Sequence, residues 1–353
     1  MAHLVFQTAF PGDLFLSIPL MKRIKDWDPD TPVVLACRPG LGDFFKKFGL
    51  ADEIIAIDKK DKEASAQALS KLASQEWDVL FVPHESPRTA LMMRKLKAKH
   101  KVAFSRWWNG LVYDKRVHKP VDFPDALRQL SLLTPLDSRL AENFSSEEIH
   151  ALRNLQTRTP EIVDYSEPFI PEWASMQVAQ HLGGRNVIFM APGSTWNTKR
   201  WTPRGYVELA RMLLAKGFEI ELIGSKAERE LCAEIERAVL EGAKPGSLIS
   251  NHAGATSLAD LVERFREGVA LVSNDSGAMH AASAAGLPTV AVFGPTTLNL
   301  GFRPWQNQAR VVQIDLDCRP CGKHGHDKCP LGHHNCMEKI SAAQVMRAVE
   351  SLI

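Results

Sequence analysis

Three stretches of this chain gather residue types that can hold an anion, and a fourth can move a proton. The longest is Ala191-Pro-Gly-Ser-Thr-Trp-Asn-Thr-Lys-Arg-Trp-Thr-Pro203. Gly193 lets backbone approach a ligand, Ser194 and Thr195 offer hydroxyls, and Lys199 and Arg200 bring positive charge, which together suit a phosphate. The second is Val272-Ser-Asn-Asp-Ser-Gly-Ala-Met-His280, where an apolar run stops and a small-residue helix begins. Ser276 and Gly277 fall where free amides and the helix dipole hold an anion. Asp275 also suits a helix N-cap, and His280 also suits a buried histidine bonded to backbone. The third, Val290-Ala-Val-Phe-Gly-Pro-Thr-Thr297, closes a strand with two hydroxyls. In Phe6-Gln-Thr-Ala-Phe-Pro-Gly-Asp13 a Pro-Gly turn puts Asp13 at the head of an apolar helix, where a carboxylate serves either as general base or as a cap.

Each of these stretches follows a short apolar run, and the positions demand strands that end at one edge of a parallel sheet. Such runs occur at 4–6, 32–36, 54–57, 79–82 and 101–104, then at 187–191, 218–223, 247–249, 268–273 and 289–293, with amphipathic segments between them. That alternation predicts two doubly wound α/β lobes, whose ligands lie beyond the carboxyl ends of the strands. A length of 353 residues suits two lobes. The proline-bearing stretch 157–173 reads as the linker, with lobes at 1–168 and 169–338 and a C-terminal helix over 339–353.

Composition bounds the function. Hydrophobic residues make up 45% and charged residues 24%, an ordinary folded mixture. Lys and Arg total 43 against 41 acidic residues, a net charge of +2 that does not favour a nucleic-acid partner. Pro11, Gly12, Asp13 and Pro19 break the apolar stretch from Leu4 to Leu20, so neither a secretory leader nor a membrane span is expected there. The expected setting is the reducing cytoplasm. Neither the dinucleotide fingerprint nor the P-loop pattern occurs.

Cys318, Cys321, Cys329 and Cys336 crowd one stretch with His324, His326, His333 and His334. The opening Cys-x-x-Cys suits one corner of a structural zinc centre that all four thiols would complete; free or redox-labile thiols are the alternative.

In combination, Ala191-Pro-Gly-Ser…Lys199-Arg-Trp…Pro203, Ile223-Gly-Ser…Glu228, Ala253-Gly-Ala-Thr-Ser-Leu-Ala-Asp-Leu261, Ser273-Asn-Asp-Ser-Gly-Ala-Met-His280 and Phe293-Gly-Pro-Thr296 resemble glycosyltransferase family 9, the heptosyltransferases. The cysteine tail is similar to that of members close to the second heptosyltransferase of the pathway. The resemblance implies the GT-B fold, two Rossmann-like lobes with parallel sheets facing across a cleft, and inverting transfer from ADP-L-glycero-D-manno-heptose to Kdo-lipid A or a heptosylated inner core of lipopolysaccharide. It implies Asp13 as base, Lys199 steadying the departing diphosphate with Ser194 and Thr195 beside it, and Asp275, Ser276, Gly277 and His280 on the diphosphate and heptose. Thr256 to Leu258 would border the adenine. No catalytic cofactor is implied, and contact with the inner face of the membrane would be peripheral. The terminal helix would cross back to the first lobe. Before Gly12-Asp13 the sequence lacks the arginine usual in the family, and Arg88, Arg94, Lys95 and Lys97 stand in as candidate holders of an anionic acceptor. A relative using another sugar or acceptor, an epimerase on the same fold and a non-catalytic nucleotide-sugar binder are the competing readings.

Overall fold

The computed structural model describes residues 1–145, 161–164, 170–174, 177–241, 246 and 248–353. The chain divides into two compact units, Met1–Arg153 and Asn154–Ile353.

The first unit holds strands β1 (Ala2–Phe6), β2 (Val33–Cys37), β3 (Glu53–Ala56), β4 (Glu76–Val82), β5 (Lys97–Phe104) and β6 (Lys115–Val117), in sheet order β3-β2-β1-β4-β5-β6. All neighbours are parallel. Its helices are α1 (Pro11–Phe15), α2 (Ile18–Trp27), α3 (Gly42–Lys47), α4 (Lys62–Ala73), α5 (Pro87–Met93), α6 (Asp125–Leu130) and α7 (Ser138–Phe144). β2 is buried at every residue because helices cover both faces, which is why it reads as an unbroken apolar run. Leu4, Phe6, Val34, Trp77, Leu80 and Val82 lie in its core.

The second unit repeats the pattern. β8 (Val187–Ala191), β9 (Glu219–Leu222), β10 (Ile249–Asn251), β11 (Ala270–Asn274), β12 (Thr289–Phe293) and β13 (Ala309–Gln313) pair in parallel, in the order β10-β9-β8-β11-β12-β13, and β7 (Ile162–Asp164) closes the far edge antiparallel to β13. Its helices are α8 (Pro203–Ala215), α9 (Arg229–Leu240), α10 (Leu258–Phe265), α11 (Gly277–Ala285), α12 (Asn335–Glu338) and α13 (Ala342–Glu350). Helical spacing selects the buried faces, as with Cys232, Ile235 and Val239 of α9. α8 starts where Thr202 caps Gly205 and Pro203 fills the first turn.

Nine of the ten expected strands form where expected; the one expected at 247–249 runs from Ile249 to Asn251, and residue 247 lies outside the described residues. β6, β7 and β13 are additional, two of them too short to show a period. Because β7 belongs to the second sheet, that unit begins ahead of Ile162 rather than at 169; most of the linker expected at 157–173, and residue 168 itself, lie outside the described residues. Val345, Met346 and Val349 of α13 join one core with Leu209 and Leu213 of α8, and Arg310 of β13 reaches the Ser351 carbonyl at 3.0 Å.

Candidate active site

In both sheets the strand order reverses beside the central strand, at β1/β4 and at β8/β11. Loops leaving such a pair diverge to opposite faces and open the crevice in which doubly wound folds bind ligands. The β8 and β11 loops contain the first two anion-binding stretches. The β12 loop, one strand further, contains the third.

Asn274, the last residue of β11, is fully buried and ties the first two together. Its Nδ2 donates to the carbonyls of Pro192 (2.8 Å) and Gly193 (3.2 Å), and its Oδ1 accepts from the Trp201 amide at 2.9 Å. The Tyr206 hydroxyl lies 3.2 Å from both Asn274 Oδ1 and the Ala191 carbonyl, and donates to these acceptors. Burial pushes that phenol well above its usual range, so it stays a neutral donor.

With the β8 loop fixed, Lys199 is 7% and Asp275 4% exposed, and Lys199 Nζ donates to Asp275 Oδ2 at 2.6 Å. Thr296 of the third stretch donates its hydroxyl to the same oxygen at 2.6 Å. Asp275 is therefore not the helix cap. Ser276 occupies that place, and its side chain makes no capping bond to the first turn of α11. His280 is buried within α11. Ser194 is buried and Thr195 exposed. Thr256 and Leu258 flank Ser257, which caps α10, on the loop after β10.

Two residues take roles other than those expected. Arg200 does not point its charge at a ligand; its Nε and Nη2 both donate to the Ser194 carbonyl, at 2.9 and 2.8 Å, and close the loop on itself. Gly193 is bare because Glu228 fills the space, since an added Cβ would lie 2.0 Å from Glu228 Oε1. The other oxygen, Oε2, accepts from the Ser225 amide at 2.6 Å.

The cysteine-rich stretch packs beneath this site. Among the described residues no three His, Cys, Asp or Glu side chains gather to hold a metal ion, so the expected zinc centre on Cys318, Cys321, Cys329 and Cys336 is not shown. Two of the thiols are otherwise engaged. Cys336 is buried in the apolar core, which pushes its thiol up to about 11, and Cys321 Sγ donates to the Cys318 carbonyl at 3.1 Å. What the stretch does hold is the site's loops. The Thr198 amide donates to the His326 carbonyl (3.0 Å), the His326 amide to Thr198 Oγ1 (2.8 Å), and His334 Nε2 to the Thr198 carbonyl (2.8 Å). His334 does this from φ +47°, the one non-glycine in the left-handed region among the described residues. Arg319 Nη2 donates to the Thr296 carbonyl at 2.8 Å. Both cation and hydroxyl on Asp275 thus stand on backbone that this stretch grips.

In the first unit, Asp13 is half-buried in the first turn of α1, and its Oδ2 accepts from the Phe10 amide at 3.1 Å. From the third position of the helix it reaches back to close the helix start, and it sits at the carboxyl edge beside β1. Two cations converge next to it: Arg38 Nε (3.0 Å) and Lys59 Nζ (2.8 Å) donate to the Thr8 carbonyl. Partial burial, then the charges of Arg38 and Arg88, lower the Lys59 pKa. Of the acceptor cations expected from sequence, Arg88 opens α5 at this edge. Arg94, Lys95 and Lys97 follow α5 and lead into β5, at the opposite edge of the sheet, because a crossover helix runs antiparallel to the strands it joins.

The profile of glycosyltransferase family 9 (heptosyltransferase) matches residues 66–331, three quarters of the chain. The chain belongs to glycosyltransferase family 9. It is accordingly a glycosyl-transferring enzyme. A Campylobacter jejuni protein named lipooligosaccharide heptosyltransferase 2 is 31% identical over 97% of this chain and 95% of its own length; one from another strain is 26% identical over 97% and 96%. Among solved structures, Escherichia coli ADP-heptose lipopolysaccharide heptosyltransferase II superposes with a TM-score of 0.72 at 21% identity, covering 100% of this chain and 98% of that one. That likeness establishes the GT-B class for the two Rossmann-like units. The buried Lys199–Asp275–Thr296 group joins the loops that follow β8, β11 and β12.

Proposed function

We propose that the chain is an inverting heptosyltransferase that moves heptose from ADP-L-glycero-D-manno-heptose to the inner core of lipopolysaccharide, on Kdo-lipid A or a heptosylated form of it. The observation that carries the reading is Lys199, buried and held by Asp275, beside the uncapped first turn of α11. A departing diphosphate requires positive charge fixed before the reaction, and a held lysine with free helix amides supplies it without reorganisation. The names of the relatives, which span nearly the whole chain, support heptose and lipooligosaccharide as substrates.

In this scheme the acceptor hydroxyl oxygen attacks the anomeric carbon, the bond from that carbon to the phosphate oxygen breaks, and ADP leaves with the electron pair. Asp13 takes the hydroxyl proton, and attack from the face opposite the leaving group inverts the centre. Ser194, Thr195, Ser276, Gly277 and His280 line the diphosphate and sugar, and Thr256 and Leu258 the adenine. Lys199 and the α11 amides meet the leaving charge, so this scheme calls for no cofactor. Arg38, Lys59 and Arg88 hold anionic groups of the acceptor in place of the missing arginine. The enzyme works in the cytoplasm at the inner face of the membrane; no described helix is long and apolar enough to cross one.

The test is ADP release from ADP-heptose with Kdo-lipid A or mono-heptosylated acceptor, comparing wild type with Asp13→Asn. Acceptor-dependent release that the substitution removes, with ADP-heptose still bound, is the expected result. Tight ADP binding without release on either acceptor would sink the substrate assignment.

A further inference from the structure

The loop joining β5 to β6 carries two large apolar side chains almost wholly in solvent, Trp107 at 95% and Leu111 at 99% exposure. They are not there because the loop is loose. Asn109 is buried, its Oδ1 accepts from the Arg106 amide at 3.0 Å and its Nδ2 donates to the Phe104 carbonyl at 2.9 Å. The amides of Val112 and Tyr113 return to the Asn109 carbonyl. Trp108, Val112 and Tyr113 pack into the first unit's core. The loop is pinned by one face, and the residues four apart on its other face are presented outward.

The loop's own sequence is mostly cationic. From Ser105 to Lys119 there are four lysines and arginines against a single carboxylate, and of the four Arg106 and Lys119 pair with Glu85. That carboxylate, Asp114, is turned back onto the Lys101 amide (2.5 Å) and His100 (3.0 Å). Lys115 and Arg116 make no ion pair among the described residues, and Arg116 is exposed, its guanidinium lying over Gly110. The loop leaves the carboxyl end of β5, the edge at which Asp13 follows β1.

We infer that this loop is a bilayer-docking element: Trp107 and Leu111 enter the interface of an anionic membrane while Lys115 and Arg116 meet its headgroups. An indole beside an aliphatic side chain, flanked by unpaired cations, matches such an interface in both polarity and charge. The occupant is the lipid surface that bears the acceptor, so the inference rests on the lipid-linked acceptor proposed above. Docking at this edge brings the acceptor sugar to Asp13 from the membrane side.

The experiment is flotation of the full chain with vesicles of phosphatidylethanolamine and phosphatidylglycerol, or of phosphatidylcholine alone, paired with transfer to acceptor embedded in the anionic vesicles and to deacylated acceptor. Wild type is expected to float with the anionic vesicles and far less with phosphatidylcholine. Trp107→Ser/Leu111→Ser should bind the anionic vesicles at least tenfold more weakly and Arg116→Ala about fivefold. The double variant should raise KM for embedded acceptor and leave kcat and KM for the deacylated acceptor unchanged. Vesicle binding equal to wild type would overturn the inference. So would an equal loss on both acceptors, which would make these side chains sugar contacts. Failure of wild type to use either acceptor, with vesicle binding intact and dependent on Trp107, would instead refute the acceptor assignment and leave the docking loop standing.

Discussion

The two units repeat one strand order and equip the same edge differently. In the second, charge and hydroxyl are buried and paired in advance: Lys199 and Thr296 meet on one oxygen of Asp275, and Asn274 bonds four neighbours beneath them. In the first, Asp13 is half-buried, and Arg38 and Lys59 rest on a single backbone carbonyl. One edge is preorganised for a fixed partner, as the proposed nucleotide-sugar donor would be. The other keeps its charges near water, where they can be re-aimed. Preorganisation removes the reorganisation cost at the reacting phosphate, whereas partial exposure leaves a binding surface adjustable.

This contrast can be broken by substitution. Asp13→Asn should reduce transfer by about 10²–10⁴-fold, the range for loss of a general base, with ADP-heptose affinity unchanged by calorimetry. If donor affinity falls in parallel, the two edges do not have separate duties. Lys199→Ala should lower kcat by about 10²–10³-fold and also destabilise the fold, because Asp275 would remain buried without its cation. A loss of activity with unchanged urea unfolding would show that the pair is not preorganised as described. Asn274→Ala is expected to cost about 2–4 kcal/mol of stability in the same unfolding assay, since several buried backbone groups lose their partner at once. Arg38→Ala should instead leave unfolding nearly unchanged and raise the acceptor KM by about tenfold. The smallest effect sharpens the picture: with its pKa below that of an ordinary lysine, Lys59 sheds its proton earlier as pH rises. Acceptor KM should therefore begin to climb at lower pH in wild type than in Lys59→Arg, while donor KM stays flat.

Much of this was readable in the residues. Strands buried on both faces announce themselves as apolar runs, and the loops after them were found because glycine, hydroxyls and charge recur at each run's end. The roles inside those loops were less legible. Lys199 and Arg200 are adjacent cations, and only the turn Asn197–Lys199 decides that one faces Asp275 and the other the Ser194 carbonyl. Asn274 passes for a turn residue until its four partners, far apart in sequence, are assembled. Arg38 and Lys59 each follow a strand, a signal available in principle, yet nothing local links them. The cysteine spacing suggested a metal; what no spacing announces is that the histidines among the thiols, with Arg319, grip the loops that carry Lys199 and Thr296.

The strand β7 carries one last consequence. An uncovered edge strand offers a row of free amides and carbonyls to any other chain, and the apolar centre of β13, Val311 and Val312, would make that edge adhesive. Three residues of β7 cover it, and the remaining sheet edges, β3, β6 and β10, are only three or four residues long. A fragment trimmed to start at β8 would retain the Lys199–Asp275–Thr296 group and lose its safeguard against self-association, precipitating where the same unit with Ile162–Asp164 stays in solution.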